Sequence, residues 1–272
     1  MNTIEPEIKQ KWEELLRYFR RYEKIGVALS GGVDSAVVCA AAAHALGSEK
    51  VVAFSIQSPM EIQREMEDSS EIANFLGVEQ VVIKLNELED DHIQTNPIDR
   101  CYFCKRARMR EIKKAASSIN IQILVDGSNA DDLQDYRPGR KALMEQGVFS
   151  PLAETDITKE MVRRLAKWLG LSVWDKPSTP CLASRFPYGI SIDQERINQV
   201  ACAEQFLIQV GFKTVRVRYH QEIARVEIPK EDFDRFLIKH VEVVQHLKQC
   251  GFKYVTLDLQ GFRSGSLNEG IT

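Results

Sequence analysis

Apolar residues recur along this chain with two periods. Ile25, Val27 and Leu29 alternate with smaller positions and predict a short buried strand, and the run VDSAVVCAAAAHAL (33–46) after it predicts a helix. Upstream, Ile8, Trp12, Leu15, Leu16, Phe19 and Tyr22 form one helical stripe over 6–22, with Pro6 at its start. Apolar runs predict further strands at 50–56, 81–85 and 121–125, with a helix over 61–76 closed by Gly77 and another over 158–169 stopped by Gly170. Strands alternating with helices predict an α/β architecture, a parallel sheet doubly wound by helices on both faces. Ligands of such sheets sit at the carboxyl ends of the strands, where residues 30–35, Ser55 and Asp126-Gly127-Ser128 are expected to converge.

The stretch 174–192 (WDKPSTPCLASRFPYGISI) breaks this rhythm with Pro, Ser and Gly and reads as a functional loop. Beyond it the pattern is helix (193–210), strand (214–219), strand (223–228), helix (230–249) and strand (254–259), a small α+β unit. The chain therefore divides into an expected N-terminal domain, 1–185, and a C-terminal domain, 186–272.

At 44% hydrophobic and 28% charged residues, the 272-residue chain has an ordinary globular composition. Its net charge of −3 sets up no global field that would recruit nucleic acid. From residue 186 onward 11 Lys/Arg stand against 11 Asp/Glu, which fits a small anionic ligand better than a nucleic-acid backbone. With no run of 18 apolar residues and an acidic, amphipathic N-terminus, neither a membrane span nor a signal peptide is expected, and the expected compartment is the cytoplasm. Six cysteines without an export signal then point to reduced thiols, metal binding or catalysis. Cys39, Cys202 and Cys250 lie in helical patterns and are expected to pack; the five histidines carry no assigned role.

Three constellations carry chemistry. The first is Ser30-Gly31-Gly32-Val33-Asp34-Ser35, between strand and helix. Its glycines leave backbone N–H groups open to an anion, and the new helix adds unpaired donors and the positive end of its dipole. Ser30 and Ser35 add hydroxyls, and Asp34 is placed to hold magnesium beside phosphates. The hexapeptide SGGVDS resembles the pyrophosphate loop of ATP pyrophosphatases and is not a Walker loop, whose G-x-x-x-x-G-K-[ST] pattern is absent. The second is Cys101-x-x-Cys104 with distant Cys181: an iron–sulfur cluster with one iron not bound by protein, a zinc site, or a redox pair. Cys181 is flanked by Lys176 and Arg185, whose charges favour a thiolate. The third is Arg216 and Arg218 on one strand face with Arg263 in a Gly/Ser turn, a clamp for phosphate or carboxylate.

SGGVDS, DGSNADDLQDYRPG (126–139), residues 150–189 with WDKPSTPCLASRFPYG, and GFRSGS (261–266) together resemble the LarE family of ATP-dependent sulfur transferases. The resemblance implies an adenine-nucleotide hydrolase-like fold and pyridinium-3,5-biscarboxylic acid mononucleotide as substrate. A carboxylate of that substrate becomes an acyl-adenylate and then a thiocarboxylate, for the nickel-pincer nucleotide of lactate racemase. It assigns ATP to Ser30, Gly31, Gly32, Val33, Asp34 and Ser35, beside which the strand ends are expected to place Ser55 and Gly127, with Mg²⁺ at Asp34. Cys181 becomes the sulfur-handling cysteine, and Arg185, Arg216, Arg218 and Arg263 become phosphate-site candidates. Family members with one cysteine give up that sulfur. Those with three hold a [4Fe–4S] cluster carrying an extra sulfide, the type that Cys101, Cys104 and Cys181 match. A sulfide or other sulfur donor and a homo-oligomer, a hexamer in single-cysteine members, are implied partners. The alternatives are a tRNA thiolase of the pyrophosphate-loop class, the sacrificial-cysteine version of the same enzyme, and a non-enzymatic iron–sulfur carrier that binds ATP.

Overall fold

The computed structural model describes residues 5–133, 138–177 and 180–263. The expected motif residues at 134–137, 178–179 and 264–266 lie outside them. The chain forms two compact units, one of residues 1–86 and 101–179, the other of 87–100 and 180–272. Residues 180–185, expected with the first domain, thus belong to the second unit, as does an early segment that no local pattern marks.

The first unit carries a four-stranded, all-parallel sheet in the order β3-β2-β1-β4, from β1 (Ile25–Ala28), β2 (Val51–Gln57), β3 (Glu79–Lys84) and β4 (Leu124–Val125). Alternation along β2 divides two cores. Val51 and Ala53 pack with Ile25 and Val27 against α1 (Pro6–Phe19) and α2 (Val33–Leu46), and with Ile72 and Ala73 of α3 (Gln63–Leu76). Val52, Phe54 and Ile56 face the opposite side, with Met109, Ile112 and Ala116. The helix α4 (Asp91–Gln94) belongs to the second unit, and α5 (Arg100–Ser118) begins at the boundary. Then follow α6 (Pro138–Glu145), α7 (Pro151–Glu154) and α8 (Lys159–Trp168), the last packed on the α1–α2 side. The fourth strand is shorter than predicted because the Ile121 N–H is bonded to the Ala116 carbonyl at the end of α5.

The second unit has α9 (Gln194–Gln209) and a three-stranded sheet, β5-β6-β7. β5 (Arg216–His220) pairs antiparallel with β6 (Ile223–Glu227), which pairs parallel with β7 (Tyr254–Leu257). The helix predicted over 230–249 is interrupted: α10 (Phe233–Ile238) stops and α11 (His240–Gln249) restarts. At the break His240 Nδ1 meets the Leu237 carbonyl at 2.7 Å, the bonding partner that an uninterrupted helix would give the N–H of Val241. Cys202 of α9 and Cys250 after α11 are joined in a disulfide, correcting the expectation that both merely pack as reduced thiols. Their separation of 48 residues hid a pairing that only the packing of two helices creates. Among the described residues no helix is long and apolar enough to cross a membrane.

Candidate active site

At the carboxyl ends of β1, β2 and β4 a cavity of about 240 Å³ opens in the first unit, lined by Ser30, Gly32, Asp34, Ser35, Gly127 and Ser128 among others. The loop is held from within. Ser35 Oγ donates to the Gly32 carbonyl at 3.0 Å and accepts the Ser30 N–H at 3.2 Å. The cap of α2 is Gly32, in extended conformation and without a side-chain hydrogen bond, so the first-turn N–H groups are left for another acceptor. Val33 is buried beneath this turn and anchors it in the core.

Two glycines are required by their surroundings. Gly31 has φ +74°, and a Cβ there would lie 2.1 Å from the Glu65 carbonyl oxygen. A Cβ on Gly127 would lie 2.6 Å from the Ser35 backbone nitrogen, so the 126–128 turn sits directly on the first turn of α2.

Asp34 points its carboxylate at two groups that the sequence did not single out. Its Oδ1 accepts from Asn129 Nδ2 at 3.0 Å, and Oδ2 is paired with the Lys159 ammonium. Behind the loop, Lys176 donates to the Gly31 carbonyl at 3.2 Å and pairs with Asp68 and, at 3.7 Å, Glu65. Burial pushes the Glu65 carboxyl up to about 7; the Lys176 charge opposes that rise and those of Glu61 and Asp68 add to it. Glu61 pairs with Arg108 at the cavity wall, which also includes Lys105. Ser55 plays a different part from the one expected: it is buried, donates to the Leu29 carbonyl at 2.8 Å and accepts from Gln80 at 2.9 Å. It braces the strands beneath the loop and is not part of the cavity wall.

In the first unit, Cys101 and Cys104 lie one turn apart at the start of α5, Cys101 exposed and Cys104 half-buried. Neither is in a disulfide. Cys39 is not in one either, and its burial within α2 pushes its thiol up to about 12.

In the second unit, half-buried Cys181 precedes a 3₁₀ turn at Leu182–Arg185. Its carbonyl accepts from the Ser184 N–H at 2.9 Å. Arg185, expected to face a phosphate, is fully buried. It forms a bidentate pair with Glu204 at 2.9 and 2.9 Å and donates to the Pro180 carbonyl at 2.8 Å, fastening the cysteine loop to α9. Arg218 is also buried, bonded to Glu227 at 2.9 Å and to the Ser184 carbonyl at 2.7 Å. These two guanidiniums position the loop. Arg216 differs: half-buried, it donates to the Val215 carbonyl, and burial together with the charges of Arg185 and Arg218 brings it down to about 10. A cation destabilised by its neighbours is a natural receptor for an anion. Arg263 is half-buried and donates to the Gly261 carbonyl at 3.3 Å.

The NAD synthase family model matches residues 8–187, which include the loop and its sheet. An uncharacterized protein of Synechocystis sp. is 41% identical, covering 97% of this chain and 99% of its own. The pyridinium-3,5-bisthiocarboxylic acid mononucleotide synthase of Lactiplantibacillus plantarum is 39% identical, over 95% of this chain and 94% of its own. The chain belongs to this synthase family, the LarE sulfur transferases. An uncharacterized protein of Methanocaldococcus jannaschii is 30% identical over 89% of this chain and 92% of its own.

LarE membership carries ATP-dependent, adenylate-forming sulfur transfer and makes the chain an enzyme. Sequence reasoning missed Lys159, Asn129, Glu204 and Glu227. Each is an ordinary polar residue in a helix, turn or strand; Asn129 lies within the quoted 126–139 stretch, but its bond to Asp34, like that of Lys159, spans more than 90 residues.

Proposed function

We propose that this enzyme converts a carboxylate of pyridinium-3,5-biscarboxylic acid mononucleotide to a thiocarboxylate at the expense of ATP, serving the nickel-pincer nucleotide of lactate racemase. The observation that carries the reading is the uncapped first turn of α2 opening into the cavity at the strand ends. There the N–H groups of residues 32–35 receive the ATP phosphates. Asp34 holds the magnesium that accompanies ATP, and Lys159, freed from Asp34, follows the phosphate charge. A substrate carboxylate oxygen attacks the α-phosphorus and pyrophosphate leaves; sulfur then attacks the acyl carbon and AMP leaves. Arg216, with Arg263, receives the phosphate of the pyridinium nucleotide, supported by the depressed pKa of Arg216.

Cys101, Cys104 and Cys181 are the thiols for a [4Fe–4S] cluster, a reading supported by their accessibility and by their being free of disulfides. When bound, the cluster supplies a labile sulfide on the iron that no protein thiol holds. The physiological sulfide source, a cytoplasmic location and a homo-oligomer are parts of the same reading, supported by the LarE resemblance.

The test is pyrophosphate release that depends on the pyridinium nucleotide, with an anaerobic absorption spectrum and iron and sulfide analysis. Release without that nucleotide refutes the substrate. Replacing any one of the three cysteines is expected to remove iron and sulfur transfer but spare adenylation. Conversion of Cys181 to dehydroalanine without iron would instead establish the sacrificial route.

A further inference from the structure

Outside the site described above, one cluster of soft ligand atoms stands in the second unit. Cys202 on α9 and Cys250 after α11 bring their sulfurs together, and His246, one turn before Cys250, turns a ring nitrogen toward them. The three candidate ligand atoms lie within 4.8 Å of one another and are partly accessible to solvent. The imidazole is also oriented: the Phe206 ring, one turn after Cys202, stacks on it at 3.8 Å between centroids and 10° between planes. Two matched pairs, Cys202 with Phe206 and His246 with Cys250, thus face each other across two packed helices.

We propose that the reduced form of this cluster binds one zinc ion through Cys202, His246 and Cys250, with water as fourth ligand, pinning α9 to α11. Two thiolates and an imidazole are a donor set for a thiophilic closed-shell cation, and three protein ligands with one open position is a recurring zinc arrangement. The fixed ring of His246 limits the orientation lost on coordination. Zinc needs both sulfurs as thiolates, so the disulfide and the ion exclude each other. An external dithiol interconverts the states. Two electrons and two protons pass from it to the Cys202–Cys250 bond, giving two thiols and the dithiol's own disulfide. Zinc binding then releases the two thiol protons to solvent. The site rests on none of the ATP or sulfur chemistry proposed above.

The test reads each cysteine separately, because Cys101, Cys104 and Cys181 are the thiols proposed above for a cluster. Full-length protein is reduced with a dithiol, freed of it without air, titrated with zinc and pulsed with iodoacetamide; peptide mass spectrometry then follows alkylation. Zinc is expected to slow alkylation of Cys202 and Cys250 together, at least about tenfold. In His246→Ala, half-protection is expected to need at least about tenfold more zinc. In Cys202→Ser, Cys250 is expected to lose its protection. Alkylation of Cys202 and Cys250 in the wild-type protein at rates indifferent to zinc overturns the site, whatever the variants do. Protection unchanged in His246→Ala equally overturns a three-ligand centre.

Discussion

Lys159 closes its ammonium on the Asp34 carboxylate at the first turn of α2, with Asn129 donating to the other oxygen at 3.0 Å. Both oxygens of the carboxylate expected to hold magnesium are thus oriented by side chains from elsewhere in the chain. Asp34 is partly exposed and in a helical first turn, so Asp34→Ala is expected to fold normally. Losing a preorganised charge of this kind typically costs about 10²–10³ in rate. Pyrophosphate release by the folded variant at the wild-type rate would remove Asp34 from the site.

Gly127→Ala is expected to push the 126–128 turn off α2, because its new Cβ would meet the Ser35 nitrogen at 2.6 Å. ATP binding measured by calorimetry should weaken strongly, whereas binding of the pyridinium nucleotide should change little. Unchanged ATP affinity would mean that the turn yields without disturbing the loop.

Arg216 and Arg185 carry the same charge to different ends. Removing Arg216 is expected to cost on the order of 1.5–3 kcal/mol in affinity for the pyridinium nucleotide, the worth of a charge-assisted hydrogen bond. ATP affinity should be spared; equal weakening of both ligands would assign Arg216 to folding.

Arg185→Met should act on stability, since it strands the Glu204 carboxylate in the interior. Breaking a buried pair from one side costs about 3–5 kcal/mol, and the double variant Arg185→Met/Glu204→Leu should recover part of it. Urea denaturation midpoints of the wild type and the two variants measure this. A double variant no better than Arg185→Met would show that the carbonyl of Pro180 matters more than the ion pair.

Glu65 gives a pH dependence with a definite sign. Its carboxyl is raised to about 7 by burial, so between its unfolded value of about 4.3 and 7 the folded protein holds the extra proton. Its contribution favours folding at low pH and is lost as pH rises through 7. Glu65→Gln should therefore gain stability relative to wild type on going from pH 5 to pH 8. A difference that stays flat across that range would place the Glu65 carboxyl near its ordinary value.

The sequence alone determined what is local and periodic. Alternation at Ile25, Val27 and Leu29 and the apolar run over 33–46 specify β1 and α2, and the glycines between them specify a tight turn with open N–H groups, because these depend only on neighbours along the chain. The Cys101-x-x-Cys104 spacing is likewise local, and within α5 it sets the two thiols one helical turn apart. Tertiary structure decided which charges are spent. Arg185, Arg216 and Arg218 look alike in sequence, yet inside the protein the first and third pair with Glu204 and Glu227, whereas burial and the charges of those two arginines depress the pKa of Arg216. Ser55 became a brace because Leu29 and Gln80 come to it across the sheet. Cys202 met Cys250 only through the packing of α9 on α11. Burial and partnership depend on residues far apart in the chain, and no spacing within it records which of them will meet.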